Sequence, residues 1–167
     1  MHRTLARLAE WWALGGGLLL LAIVAVTSWN AGAFLLSWLG LGTEGLPGYE
    51  DAVRLMVSAA ALMFFPLCQL RRGHVAVDLF VRALPAGLRR GLDRLWLAAT
   101  AAAALFLGYW MAIGLLETRA DHTASSILGW PEWPFYAPGV VSLALWAAIA
   151  AVQCGGAAAE EEAGDGA

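Results

Sequence analysis

Four long apolar runs constrain this chain more than any other feature of it. A helix needs about 20 apolar residues to cross the ~30 Å hydrocarbon core of a bilayer. The runs at residues 11–29, 51–70, 95–116 and 134–154 reach that length. Backbone groups in hydrocarbon must bond within their own segment, and none of the runs alternates as a strand would, so all four read as helices. Composition agrees. Hydrophobic residues make up 60% of the 167 and charged residues 14%, against about 45–50% and about 25% in soluble domains. Too few polar side chains remain to cover a water-facing surface. The expected fold class is an all-α integral membrane protein, with residues 1–154 forming a membrane domain of four transmembrane helices.

The ends and connections differ in chemistry. Arg3 and Arg7 precede the first run as in a signal peptide, but no charge occurs from Trp11 to Thr43, far beyond a cleavable apolar core of about 7–15 residues. The first run therefore reads as a retained span. Residues 33–41 are also apolar, and either lie in the interface or extend the first helix. Residues 155–167 are Ala, Gly and acid, including Glu160, Glu161 and Glu162; such a tail buries no core and is expected to be disordered. Cys68 and Cys154 each sit at the end of an apolar run, with no disulfide or zinc spacing, and read as small apolar residues.

Arginine sets the direction, since every basic residue is Arg. Arg3, Arg7, Arg71, Arg72, Arg82, Arg89, Arg90 and Arg94 fall on one side of a four-span arrangement, Arg119 falls on the other, and Arg54 lies inside the second run. Positive charge is retained in the cytoplasm, so both termini and the middle loop are expected there. Trp11, Trp12, Trp29, Trp96, Trp130 and Trp133 mark span ends, where an indole has an apolar body and a wet N–H. Within the middle loop, a helix over residues 74–84 would carry Val77, Phe80, Val81 and Leu84 on one face, with Asp78 and Arg82 off it. Pro85 and Gly87 end it. This short amphipathic helix is expected to lie flat at the cytoplasmic surface, with Arg89, Arg90 and Arg94 meeting anionic lipid headgroups. The plainer alternative is a basic loop that only sets topology.

Three charges open the second span: Glu50, Asp51 and Arg54. The spacing allows Glu50 (i, i+4) or Asp51 (i, i+3) to pair with Arg54, and acids suit a helix N-terminus. The local reading is thus a cap with an ion pair; the functional reading is that one acid reaches a neighbouring protein. Further along, Pro66 should kink the span by freeing the carbonyl four residues earlier, and Gln69 is polar at its inner end. Gly15, Gly16, Gly17, Gly108 and Gly114 offer places for close helix approach.

Absences narrow the function. His2, His74 and His122 all lie outside the runs, which disfavours a haem protein with axial histidines in its spans. There is no phosphate loop, zinc-binding HExxH or nucleophile elbow, and no paired repeat of the transporter kind. No enzyme activity, cofactor, metal site or nucleic-acid partner is expected. The chain reads as a companion to another membrane protein.

The stretch Pro47–Gly48–Tyr49–Glu50, followed by residues 65–80 with Arg71, Arg72, Gly73, His74, Val75, Val77 and Asp78, resembles the small permease subunit of TRAP transporters, the DctQ type. Leu84–Pro85, the Arg89–Arg90 pair, and Ser126–Ile127–Leu128 before Trp130–Pro131 fit as well, so the resemblance covers nearly the whole chain. Trp29–Asn30 stand where many members carry an Arg. The resemblance implies a tripartite, ATP-independent importer of the bacterial inner membrane. In it a periplasmic binding protein captures a solute, often a carboxylate, and a large permease carries the site driven by a cation gradient. The small subunit would brace the large one and help dock the binding protein. By the same resemblance Arg71, Arg72, His74 and Asp78 orient the horizontal helix, while Glu50 and residues 117–133 lie on the docking side; Arg54 is a further candidate for a partner interface or for orienting its helix. The competing readings are a four-span adaptor or assembly factor unrelated to transport, and a membrane enzyme or redox subunit.

Overall fold

The computed structural model describes the backbone of residues 2–42, 44–71 and 85–165. These form α1 (His2–Trp38), α2 (Tyr49–Met63), α3 (Phe65–Leu70), α4 (Ala86–Ala120) and α5 (Trp133–Asp165). Four stretches are long and apolar enough to cross a membrane: Thr4–Trp38, Tyr49–Leu70, Gly87–Ala120 and Trp133–Gly155. The architecture is all-helical, and a lone bridge between Ala124 and Pro131 is the nearest approach to a strand among the described residues. The expected interfacial helix at 74–84 lies outside the described residues.

Chain direction alternates, so α1 begins at the same end of the molecule where α3 finishes, α4 starts and the α5 span finishes. We call this the near end, and the opposite one the far end. The spans stand side by side in the order α4, α5, α2–α3, α1. α5 packs along α4 on one side and on α2 and α3 on the other, while α1 leans mainly on α2 and α3, touches α5 more lightly and is not packed on α4. The result is an open row, not a closed bundle around one core.

Contacts within the row rest on small side chains. Ala9, Ala13, Ala52, Ala59, Ala60, Ala104, Ala147 and Ala150 are buried, whereas Leu18, Leu21, Leu105 and Phe106 are exposed. Without a solvent difference between lipid tails and Leu, helices associate where backbones come close, and small residues allow that. Gly16 is the point where α1 comes close to the α2 backbone. A Cβ there would lie 3.0 Å from Met63 Cβ and 3.2 Å from the Ala60 carbonyl.

The second span is broken as Pro66 leads one to expect. α2 ends at Met63, Phe64 has φ −85° and ψ −18°, and α3 resumes at Phe65 with Pro66 in its first turn. Proline there supplies no N–H to the preceding turn. Phe64 instead donates to the Ala61 carbonyl at 3.3 Å, and Cys68 picks up the Phe64 carbonyl at 2.9 Å.

The apolar stretch after the first span extends α1 as far as Trp38. Asn30 is bonded to Leu46 in the loop just before α2, and the eight residues from Asn30 to Trp38 carry α1 about 12 Å further. Phe34 and Trp38 on this overhang are 77% and 78% exposed. At the other terminus α5 stays helical to Asp165, where a disordered tail was expected. Ala157, Ala158, Ala159 and Glu160–Glu162 are strong helix formers and simply continue the turn pattern of the span.

Candidate functional site

Polar groups are sparse in the row, and they gather at two levels. The first lies toward the near end. Gln69 is 4% exposed, at the end of the broken second span. Its Nε2 donates to Gln153 Oε1 (2.8 Å), and Gln153 Nε2 donates back to the Gln69 backbone carbonyl (3.2 Å). The indole N–H of Trp146 donates to Gln69 Oε1 (3.1 Å), and the Trp146 ring meets Phe65 edge-on with centroids 5.1 Å apart. One turn of α5 above, the fully buried Ser142 accepts from Trp12 Nε1 at 2.7 Å, which ties α1 to α5. Each amide satisfies the other, so burial in an apolar layer carries little penalty.

The second level is the far end, where the connection between α4 and α5 folds over the start of α2. Ser125 N donates to the Trp130 carbonyl (2.8 Å), Trp130 N donates to Ser125 Oγ (3.2 Å), and Glu132 N donates to the Thr123 carbonyl (3.1 Å). This tight loop is stapled to α2 twice. Asp51 Oδ2 accepts from Ile127 N at 2.8 Å, and Arg54 pairs with Glu132 at 3.3 Å. Gly48 makes the approach possible: it has φ +75°, and a Cβ there would lie 3.0 Å from the side chains of both Ile127 and Leu128. Only glycine takes that φ without strain and leaves that space open. The loop before α2 is held similarly. Asn30 Oδ1 accepts from Leu46 N (2.9 Å), and its Nδ2 donates to the Val26 carbonyl (2.9 Å).

These contacts correct the expected local ion pair. Arg54 reaches Glu132, 78 positions away, and Asp51 binds a backbone N–H. The physical reason is shelter. The Glu132 side chain is 19% exposed, and attraction strengthens as water is excluded. Glu50, one turn from Arg54, stays exposed at the far end, and Arg71 is exposed at the near end. The structure does not bring Glu50 and Arg54 together. Arg72, His74 and Asp78 lie outside the described residues. Sequence reasoning missed Glu132 as a partner, and it missed Gln153. The available signal for Gln153 was a second amide at the near end of an apolar run, since a polar group at that depth needs a partner.

Beside the far-end staple an open cleft of about 360 Å³ is lined by Arg119, His122, Ala124, Gly129, Pro131 and Trp133. The Arg119 guanidinium carbon sits 5.3 Å from the centroid of Trp133. Among the described residues no cluster of His, Cys, Asp and Glu could hold a metal ion.

The family model described as "Tripartite ATP-independent periplasmic transporters, DctQ component" matches residues 40–159. The chain belongs to the DctQ family. The matched region contains the broken second span, the last two spans and both polar levels apart from Trp12 and Asn30, and leaves out α1. No curated protein and no solved structure matches the chain. A DctQ chain is a component of a TRAP transporter, and the four spans make this one a multi-pass membrane protein.

Proposed function

We propose that the chain is the small transmembrane subunit of a TRAP transporter. It braces the large permease subunit and helps dock the periplasmic binding protein during ion-gradient-driven uptake of a small, carboxylate-bearing solute. It takes no catalytic part. In this reading it lies in the bacterial inner membrane with both termini cytoplasmic. The near end then faces the cytoplasm and anionic lipids, and the far end faces the periplasm. Arg71, Arg72, His74 and Asp78 orient the helix at the cytoplasmic surface. Glu50, and Arg54 through its tie to the far-end loop, belong to the docking side.

The observation that carries this reading, beside family membership, is the open row. Of the most apolar 18-residue stretch, 6% is buried in α1 and in α4, against 33% in the second and fourth spans. A row this thin leaves two broad apolar faces for a larger membrane partner. Nor do the described residues offer polar groups to a solute path: the buried amides and Ser142 are spent on one another and on indole N–H groups. The test is copurification and uptake. Replacing His74 and Asp78 together should weaken recovery of the large subunit and lower uptake; unchanged recovery and uptake would remove their assigned role.

A further inference from the structure

The cleft at the far end contains a cation with an unusual set of neighbours. Arg119 lies in the last turn of α4, between Glu117 and Asp121 in sequence. Residues two apart on a helix do not face each other, so neither acid is aimed at its guanidinium. The side chain instead crosses to α5 and lies over the Trp133 ring, 5.3 Å from its centroid. No described carboxylate pairs with it. The nearest acid of the loop, Glu132, is taken by Arg54 at 3.3 Å. The indole holds the guanidinium by a cation–π contact, which uses none of the five N–H donors with which Arg grips a carboxylate.

The rest of the cleft is built to hold that arrangement. The floor is the Ala124–Pro131 bridge. Gly129, at φ +66°, lines the cleft with no Cβ, and open space surrounds the point where one would project. His122 takes a left-handed φ of 51° and sets its Nδ1 3.0 Å from the Ala120 carbonyl, which places its ring on the rim. Two loop backbone bonds, Ser125 N to Trp130 O and Glu132 N to Thr123 O, keep the walls in place. The cleft is therefore an open recess of about 360 Å³ that carries Arg119 beside Trp133.

We propose that this cleft receives an acidic side chain of the periplasmic binding protein, with Arg119 as the gripping residue, Trp133 as its shelf and Gly129 as the gap that admits the carboxylate. The inference rests on the docking role proposed above and assigns it to particular atoms. Charge complementarity selects the occupant. A side chain borne on a protein surface can enter an open recess of this size while its backbone stays outside, and a free solute would find one charge contact and little enclosure.

The test uses the full complex of this chain with its large subunit in lipid nanodiscs, and the cognate binding protein as the probe. Binding is measured for wild type, Arg119→Gln, Arg119→Lys and Trp133→Leu. Arg119→Gln should weaken binding about tenfold, as expected for one lost interfacial charge pair, and Arg119→Lys should retain part of it. Trp133→Leu should fall between, which separates loss of the shelf from a general folding defect. An Asp and Glu scan of the binding protein should find one position whose neutral variant loses nothing further against Arg119→Gln. Wild-type complex that fails to bind the probe would overturn the docking role and this inference with it. Wild-type binding that all three variants preserve would overturn the inference alone. Displacement of the binding protein by a millimolar dicarboxylate that the isolated binding protein does not bind, at matched ionic strength, would instead make the cleft a small-anion site and reject the proposed occupant.

Discussion

The two middle spans and the two edge helices are alike in composition and opposite in what they touch. All four are apolar enough to sit in lipid, yet α1 and α4 bury 6% of their most apolar stretch and the second and fourth spans bury 33%. Apolarity reports the solvent a helix lives in, and nothing about its protein neighbours. The neighbours are set by small residues and by the few polar groups that must find partners: Gly16 against Met63, Gln69 against Gln153, Trp12 against Ser142, Arg54 against Glu132. On the edge helices the exposed stripe Trp11, Leu14, Leu18 and Leu21 has none of these features.

The sharpest way to break the comparison is on α1 itself, where adjacent glycines have opposite surroundings. Gly16→Leu would press on Met63 and the Ala60 carbonyl, and should cost about 2–3 kcal/mol as overpacking. Gly17→Leu, with nothing within 4 Å of its Cβ, should leave stability within about 0.5 kcal/mol. Reversible unfolding in mixed detergent micelles reads both. Equal effects would mean that α1 is not packed through this face.

Next in size is the amide pair. Gln69→Leu removes the donor to Gln153 Oε1 and the Oε1 acceptor of the Trp146 N–H while leaving the backbone carbonyl to Gln153 Nε2, and should destabilise by about 1–3 kcal/mol. The Gln69→Leu, Gln153→Leu double variant should recover part of that loss, because no buried amide is then left without a partner. A double variant as poor as the sum of the two single ones would show that the amides do not act as a pair.

How much of this was legible beforehand follows from the same contrast. The spans, their number and the break at Pro66 follow from local rules, namely run length against bilayer thickness and the N–H that proline lacks. The partners of Arg54 and Gln69 do not. Local spacing offered Glu50 to Arg54, but the loop at residues 121–132 brings a more sheltered acid, and a contact across 78 positions has no local signature. Asn30 illustrates the same limit. In sequence it marks a departure from the family's Arg; in the fold it ties the end of the first span to Leu46. The overhang of α1 was one of two readings of residues 33–41, since an apolar run fixes no end point by itself.

Smaller effects sharpen the picture at the far end. Arg54→Gln removes an ion pair whose Arg side chain is 64% exposed, so its cost should be no more than about 0.5 kcal/mol. Asp51→Asn should cost a similar amount, because the amide oxygen can still accept from Ile127 N. A loss several times larger in either variant would mean that the loop depends on these staples more than their exposure allows. The smallest effect is expected at the edge. Leu18→Ala with Leu21→Ala should leave the isolated chain within about 0.5 kcal/mol of wild type, measured in the same micelles.

The most direct test of the account is whether the large permease needs this chain beside it. Cells expressing the large subunit with a tagged copy of this chain should yield the two as one complex in mild detergent, and deleting this chain should abolish uptake and lower recovery of the large subunit. Recovery of the tagged chain alone, with uptake intact in its absence, would contradict the account.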